Sequence, residues 1–227
     1  MKKAGRRKPG KTVIRRGAEA EDRNRELFRS RGLFVLNLIG SPGCGKTTLL
    51  ERTLRLMKRR GAVIEGDIRT TIDRDRIRAT GAPAVQIETH GACHLDPAMV
   101  ERALAELDLT GVEVLFIENV GNLVCPAGTN LGEDMKVAVT SVPEGDEKPA
   151  KYPALFVRAG AVVINKTDLL RHVDYDLERA AADCRKLNSG TEIFPLSAKT
   201  GEGFDAWLRF IEEGAAKAKG RRRDVLS

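Results

Sequence analysis

The sequence lacks hydrophobic runs of membrane length and contains few cysteines. No stretch approaches the roughly 18 consecutive apolar residues of a transmembrane helix, and the basic N-terminus is not followed by the apolar segment of a secretory signal. Four cysteines in 227 residues are too few for a scaffold held together by disulfides. We therefore expect a cytoplasmic protein in a reducing environment that does not associate with membranes.

The formal net charge of +7 is distributed unevenly along the chain. Residues 1–31 contain twelve Lys/Arg and four Asp/Glu, and residues 214–227 contain five Lys/Arg and one Asp, which leaves residues 32–213 with a net charge of −5. We predict a basic, flexible N-terminal arm (1–31), a globular domain (32–213) and a basic C-terminal tail (214–227). Basic tails attract polyanions, but no aromatic residue is interleaved with the basic residues of 1–27 to stack on bases. Nucleic acid is therefore not the expected partner.

Apolar, strand-like runs alternate with amphipathic helical segments along the globular domain. Residues 33–39 are almost continuously apolar, which is typical of a strand buried on both faces. This alternation predicts an α/β fold with a mostly parallel β-sheet flanked by helices, in three layers. The arm is expected to be unstructured at 1–17 and to form a short charged helix at 18–30. The predicted strands are 33–39, 62–66, 84–88, 112–118, 136–142, 161–165 and 192–196, and the predicted helices are 46–60, 72–79, 96–107, 174–187 and 204–212.

A glycine-rich loop follows the first predicted strand. Residues 40–47 (GSPGCGKT) match the pattern G-x-x-x-x-G-K-S/T between a strand and a helix, which predicts a P-loop NTPase. The glycines let backbone N–H groups surround phosphate oxygens, and the following helix directs its N-terminus at the same anion. Lys46 would place its charge on the β- and γ-phosphates, and the Thr47 hydroxyl would bind Mg²⁺. We expect nucleotide contacts from Gly40, Ser41, Gly43, Cys44, Gly45, Lys46, Thr47 and Thr48, with Cys44 serving as a small residue rather than a nucleophile.

Two later motifs indicate a guanine nucleotide. Residues 165–168 (NKTD) follow a strand, and the Asp168 carboxylate would accept hydrogen bonds from guanine N1–H and N2–H₂ while rejecting adenine. Residues 197–199 (SAK) resemble the motif of guanine-nucleotide proteins whose backbone N–H contacts guanine O6. With the P-loop these motifs predict GTP rather than ATP as the ligand. The predicted base contacts come from Asn165, Lys166, Asp168, Ser197, Ala198 and Lys199.

Acidic residues at strand ends are candidates for the magnesium side of the site. Glu118 ends the strand 112–118, where it would hold a magnesium-bound water or orient the γ-phosphate. Gly121 would supply a backbone N–H to the same phosphate. Asp67 ends the second strand and is our preferred ligand from a mobile switch, with Asp73 as the alternative. We therefore predict magnesium binding by Thr47, Asp67 and Glu118, and catalysis of hydrolysis by Lys46, Thr47, Asp67 and Glu118.

A third group of residues has the chemistry of a soft metal site. Cys93 and His94 follow the strand 84–88, and Cys125 lies seven residues after Glu118. In a parallel sheet both loops emerge at the same edge as the P-loop. Thiolate and imidazole suit Zn²⁺, Ni²⁺ or copper, but three ligands do not close a tetrahedral site unless two chains share it. His90 is a possible additional ligand, and the alternative that the cysteines are small buried residues remains open at this point.

Residues 33–212 resemble the hydrogenase nickel-incorporation GTPases, which are maturation factors of NiFe hydrogenase. The C-H-L-D and E-N-V-G-N-L-V-C-P stretches are the most specific part of this resemblance. The matching segments are 40–51 (GSPGCGKTTLLE), 65–78 (EGDIRTTIDRDRIR), 91–96 (GACHLD), 115–126 (LFIENVGNLVCP), 145–153 (GDEKPAKYP) and 164–168 (INKTD).

The resemblance implies a GTP-driven homodimer with a metal site at its interface. That site falls on Cys93, His94 and Cys125 and would hold nickel, or zinc in its place, for delivery to the hydrogenase large subunit together with a maturation partner. The chain has only three histidines and no Cys-rich N-terminal motif, so we expect neither an N-terminal nickel site nor nickel storage. The alternatives are a related metallochaperone for urease or a cobalamin enzyme, an RNA-binding GTPase with a structural zinc, and a non-catalytic nickel buffer.

Overall fold

A single sheet of seven parallel strands forms the centre of the molecule. The structure, a computed structural model, describes the backbone of residues 10–67 and 72–226 and the side chains of residues 16–66 and 73–222. The strands are β1 (Phe34–Gly40), β2 (Gly61–Asp67), β3 (Ala84–Glu88), β4 (Val114–Glu118), β5 (Met135–Ser141), β6 (Ala159–Asn165) and β7 (Glu192–Pro195). Their order is β3-β2-β4-β1-β5-β6-β7, and every neighbouring pair is parallel.

Helices cover both faces of the sheet. They are α1 (Gly10–Arg31), α2 (Lys46–Leu56), α3 (Ile72–Arg78), α4 (Pro97–Glu106), α5 (Lys148–Lys151), α6 (Pro153–Phe156), α7 (Leu177–Leu187) and α8 (Phe204–Leu226). Short 3₁₀ segments span Cys125–Gly128, Val142–Glu144 and Thr167–His172. The predicted three-layer α/β fold is confirmed, and the sheet is wholly parallel.

The alternation of side chains along the strands divides the core into two sides. Leu36 and Leu38 of β1 pack with the face that α2, α3 and α8 cover, where Trp207 is fully buried. Val35 packs on the opposite face with α1 and α4, and Ile39 packs on that face with α6 and α7. The central strand β1 is therefore buried on both faces, as its sequence predicts. The glycine-rich loop that follows it starts from this buried strand.

The first helix is longer than the sequence predicts. The prediction placed a short helix at 18–30 after an unstructured segment, but α1 begins at Gly10, so that expectation was wrong for residues 10–17. Ala20, Asn24 and Phe28 are buried and share one face at helical spacing. The Asn24 side-chain amide donates to the carbonyl oxygens of Pro97 (2.9 Å) and Leu131 (3.1 Å). Tertiary contacts of this face stabilise a helix whose other faces are highly charged.

The last helix also continues past its predicted end at 212. It extends to Leu226 because its small residues Ala215 and Ala218 are buried and Arg221 donates to Asp134 at 2.7 Å. Most of the predicted basic tail is therefore part of α8 rather than a separate tail. In the described part of the chain no helix combines the length and apolar character needed to cross a bilayer. Residues 1–9 of the predicted arm lie outside the described residues.

Candidate nucleotide and metal site

The phosphate-binding loop joins β1 to α2 at the centre of the sheet. Lys46 is buried, and its Nζ donates to the carbonyl oxygens of Gly40 (3.3 Å) and Ser41 (3.4 Å). Gly43 and Gly45 have φ of +77° and +94°, which L-residues rarely adopt. A Cβ atom at Gly45 would lie 2.5 Å from Asn165 Nδ2. The loop therefore requires glycine both for its curvature and for its contact with β6.

A hydroxyl and a carboxylate meet beside this loop. Thr47 Oγ1 donates to Glu118 Oε1 at 3.0 Å, and both side chains are buried. Burial raises the pKa of the Glu118 carboxyl to about 7, against the opposing effect of the Lys46 charge. Glu118 Oε2 is buried and has no hydrogen-bond partner among the described residues. A hard cation suits these oxygens and would favour the ionised carboxylate.

The guanine motifs are tied directly to the phosphate loop by Asn165. Its Nδ2 donates to the carbonyl oxygen of Cys44 at 3.0 Å, and its Oδ1 accepts from the backbone N–H of Ala198 at 3.0 Å. Lys166 has φ of +62°, and its Nζ donates to the carbonyl oxygen of Gly43 at 2.7 Å. The three predicted nucleotide motifs therefore form one connected unit at the edge of the sheet.

The predicted base-reading carboxylate is held by the second guanine motif. Ser197 Oγ donates to Asp168 Oδ1 at 2.6 Å and accepts from the backbone N–H of Thr200 at 3.1 Å. Ser197 is fully buried, whereas Asp168 is partly exposed and Lys199 is exposed. Because each carboxylate oxygen has two lone pairs, a bond from Ser197 to one oxygen leaves both oxygens able to accept from a ligand.

A cleft of about 490 Å³ runs along the phosphate loop. Gly121 lines the cleft, and a Cβ atom on this residue would lie 2.8 Å from Pro42 Cγ. Asp73 also lines the cleft and accepts from Arg76 Nη1 at 3.1 Å. Asp67 ends β2, but its side chain lies outside the described residues, as does the segment 68–71. The preference for Asp67 over Asp73 thus remains a prediction.

Arg76 is a cleft residue that the sequence analysis missed. It lies on α3, and its Nη2 donates to Glu51 Oε2 (2.5 Å) and Thr48 Oγ1 (3.2 Å) on α2. Its guanidinium therefore connects α3 to α2, the helix that starts at the phosphate loop. No motif carries this contact, because the partners are 25 and 28 residues away in the chain.

The candidate metal ligands come together at the same edge of the sheet. One ligand atom from each of Cys93, His94 and Cys125 lies within 4.8 Å of the others, and Cys93 Sγ is 3.4 Å from His94 Nδ1. The pKa of the Cys93 thiol is raised, mainly by its hydrogen bond with Cys125. Cys93 is exposed, so the alternative of a small buried residue does not hold for it. His90 is not a member of this group of described residues.

One buried amide links the loop that contains the candidate metal ligands Cys93 and His94 (the metal loop) with the end of β4, beside the candidate magnesium site. Asn119 directly follows Glu118, and its Oδ1 accepts from the backbone N–H of Leu95, the neighbour of His94, at 3.1 Å. Its Nδ2 donates to Asn37 Oδ1 on β1, also at 3.1 Å. Asn122, three residues later, donates to the carbonyl oxygen of Cys93 at 3.3 Å. These contacts connect the end of β4 and the loop after it to the residues on either side of His94.

The other cysteines have surroundings unlike those of the cluster. Cys44 is completely buried, and burial raises the pKa of its thiol to about 11. Such a thiol is a poor nucleophile, which agrees with its interpretation as a small loop residue. Cys184 on α7 is buried in the apolar core.

Known proteins resemble this chain over most of its length. Residues 34–195 match the family described as CobW/HypB/UreG, nucleotide-binding domain. The hydrogenase maturation factor HypB of Azotobacter vinelandii is 53% identical over 205 residues, which cover 89% of this chain and 68% of that protein. The crystal structure of HypB from Helicobacter pylori in complex with nickel superposes with a TM-score of 0.84 at 38% identity, covering 89% of this chain and 96% of that one. The HypB structure from Archaeoglobus fulgidus gives a TM-score of 0.83 at 35% identity, with 88% and 99% covered.

Proposed function

Because the chain belongs to the CobW/HypB/UreG nucleotide-binding family, and within it to the HypB hydrogenase maturation factors, we propose that it is a GTP-hydrolysing metallochaperone. It binds nickel at Cys93, His94 and Cys125 and delivers the ion for maturation of NiFe hydrogenase. The observation that carries the proposal is the contact of Asn119 with Leu95, since it joins a nucleotide site to a metal-ligand loop.

The nucleotide half of the proposal depends on residues that already contact one another. Lys46 holds the β- and γ-phosphates within the loop, and Thr47 and Glu118 hold Mg²⁺, with Asp67 as the expected further ligand. Magnesium supplies charge neutralisation on the phosphates when it is bound. Gly121 supports the cleft wall next to Pro42 and offers its backbone N–H to the γ-phosphate. These are positioning and electrostatic roles, which account for most of the catalysis of phosphoryl transfer.

Base selection is assigned to the two guanine motifs. The Asp168 carboxylate accepts from N1–H and N2–H₂ of guanine, and Ser197 keeps it in place. An adenine base would leave this carboxylate without donors, which costs binding free energy. Asn165 holds the base-binding loops against the phosphate loop, so base and phosphates are recognised by one connected unit.

The metal half of the proposal requires a second copy of the chain. Cys93, His94 and Cys125 supply two sulfur atoms and one nitrogen, which suit nickel and also zinc. Three donors leave a tetrahedral or square-planar ion incompletely coordinated, and the exposed position of Cys93 leaves the cluster accessible to a neighbour. A homodimer formed with GTP bound would complete the coordination, and opening it after hydrolysis would release nickel to the maturation partner and the hydrogenase large subunit.

A nickel titration with GDP and with a non-hydrolysable GTP analogue tests this function. Thiolate-to-nickel absorption reports the binding, and sedimentation in the same samples reports the oligomeric state. We expect affinity or stoichiometry to change with the nucleotide, we expect Cys93→Ala to abolish the absorption, and we expect His94→Ala to weaken nickel binding. His172→Ala is the matched control, since His172 is exposed on the 3₁₀ segment Thr167–His172. Weak nickel binding that is identical with both nucleotides would contradict the proposal.

A further inference from the structure

Arg52, which no nucleotide motif contains, contacts the second guanine motif. It lies on α2, and its guanidinium donates to three consecutive backbone carbonyl oxygens. Nη1 donates to Ala198 at 3.0 Å and to Lys199 at 2.9 Å, and Nη2 donates to Thr200 at 3.1 Å. A planar guanidinium with several fixed donors can hold a short backbone segment in this way, whereas the single ammonium of a lysine cannot.

The surroundings of Arg52 fit this contact. A Cβ atom at Gly201, which has φ of +92°, would lie 2.7 Å from Arg52 Nη2. Only glycine therefore lets the loop turn and the guanidinium approach at this point. The guanidinium carbon also lies 5.7 Å above the ring of Phe204, a buried residue at the start of α8. A cation so placed is attracted by the ring.

The peptide bond between Lys199 and Thr200 links the Arg52 contact to Asp168, the predicted base-reading residue. In a trans peptide the C=O and the N–H point in opposite directions. With the Lys199 carbonyl turned toward Arg52, the N–H of Thr200 faces the other way, and it donates to Ser197 Oγ at 3.1 Å. Ser197 Oγ in turn donates to Asp168 Oδ1 at 2.6 Å. One chain of hydrogen bonds thus runs from Arg52 to the Asp168 carboxylate.

We propose that Arg52 is a positioning residue for guanine recognition, acting on Asp168 through the 198–200 loop and Ser197. A carboxylate reads N1–H and N2–H₂ together only when its plane is held, and the Ser197 hydroxyl holds it. Lys46 and Thr47 are not members of this chain, because their side chains bond to Gly40, Ser41 and Glu118 instead. The inference deepens the proposed function and depends on its guanine ligand.

Dissociation constants for GDP and IDP, which lacks the N2 amine, separate base recognition from phosphate binding. In the full chain we expect Arg52→Met to weaken GDP binding by roughly 10- to 100-fold, the range of one charge-assisted hydrogen bond. IDP binding should weaken less, so the preference for GDP over IDP shrinks. Arg55→Met is the matched control, because Arg55 is an exposed arginine on the same helix, and it should behave as wild type.

Arg52→Lys keeps the charge and the aliphatic stem and gives the same readout if Arg52→Met does not fold. It should also reduce the preference for GDP over IDP, because an ammonium has all its donors on one nitrogen and cannot reproduce contacts made from both Nη1 and Nη2. A variant that keeps the wild-type ratio of GDP to IDP affinity, whatever its thermal stability, would overturn the positioning role. Failure of the proposed guanine specificity would appear separately, as a wild-type protein that binds ADP as tightly as GDP.

Discussion

Thr47 and Glu118, which are 71 residues apart in the chain, are joined by a hydrogen bond of 3.0 Å at the centre of the sheet. The bond forms because β1 and β4 are adjacent parallel strands with Leu38 opposite Glu118, so the ends of both strands reach the same edge. It places a hydroxyl and a buried carboxylate together where the phosphate loop opens.

Replacing Glu118 tests the magnesium side of the site. Glu118→Gln keeps the shape of the side chain but removes the negative charge that a cation needs. We expect magnesium-dependent GTP hydrolysis to fall by about 100-fold or more, while GDP binding through the guanine motifs persists. Phosphate release under single-turnover conditions measures the rate. Glu106→Gln, at an exposed position of α4, is the control, and hydrolysis by Glu118→Gln at the wild-type rate would contradict the assigned role.

Asn119 is expected to carry the coupling between nucleotide and metal. Asn119→Ala removes the acceptor for Leu95 N–H and the donor to Asn37. We expect nickel still to bind, but with an affinity that no longer depends on whether GDP or a GTP analogue is present. The comparison variant is Asn188→Ala, which also loses a side-chain bond to the backbone, at Ala159. If the nickel affinity of Asn119→Ala still differs between GDP and the GTP analogue as much as in wild type, other contacts carry the coupling.

A buried ion pair between Glu133 and Lys136, at the start of β5, should make the stability of the fold sensitive to acid. The Glu133 and Lys136 side chains are 3% and 6% exposed, and their charged atoms are 2.5 Å apart. Breaking the pair with Glu133→Gln leaves Lys136 uncompensated and should destabilise the fold by about 3–5 kcal/mol. The double variant Glu133→Gln/Lys136→Met removes the unpaired charge and keeps an oxygen to accept from the Leu131 N–H and the Asn37 amide, so it should be far less affected. Urea unfolding of the three proteins at pH 7 makes the comparison.

The pH dependence of this pair has a defined sign. Burial opposes ionisation of Glu133, but Lys136 and two further hydrogen-bonding groups, the Leu131 backbone N–H and the Asn37 amide, outweigh it and lower the pKa below the ordinary 4.5. The stabilisation is therefore present above that value and is lost as the pH falls through the lower pKa of the folded state. The difference in unfolding free energy between wild type and Glu133→Gln should shrink in acid. If this difference in unfolding free energy stays constant until Glu133 is fully protonated, the ion pair is not the cause of the acid sensitivity.

Asn24 should anchor the first helix to the domain. Asn24→Ala leaves the carbonyl oxygens of Pro97 and Leu131 without these donors, so we expect a loss of about 1–3 kcal/mol in unfolding free energy. Amide hydrogen exchange in α1 should accelerate more than in β1. Arg23→Ala, which removes the exposed pair with Glu101, should have the smaller effect. Equal exchange rates in wild type and Asn24→Ala would indicate that other contacts hold α1.

Local sequence patterns predicted the strands, the phosphate loop and the meeting of Cys93, His94 and Cys125. They succeed because most strand runs are largely apolar and because parallel strands bring their following loops to one edge. They fail for the extent of α1 and α8, whose apolar residues are sparse within charged sequence and matter only through tertiary contacts. Arg52, Arg76 and Asn119 were missed for a related reason: each acts through partners 24 or more residues away in the chain.

The strand order separates two tasks in space. The metal-ligand loops follow β3 and β4 on one side of β1, whereas the guanine motifs follow β6 and β7 on the other side. The phosphate loop after β1 is the element between them. Under the proposed function, substitutions of the metal ligands therefore need not touch the residues that bind the base, and the two specificities can be altered separately.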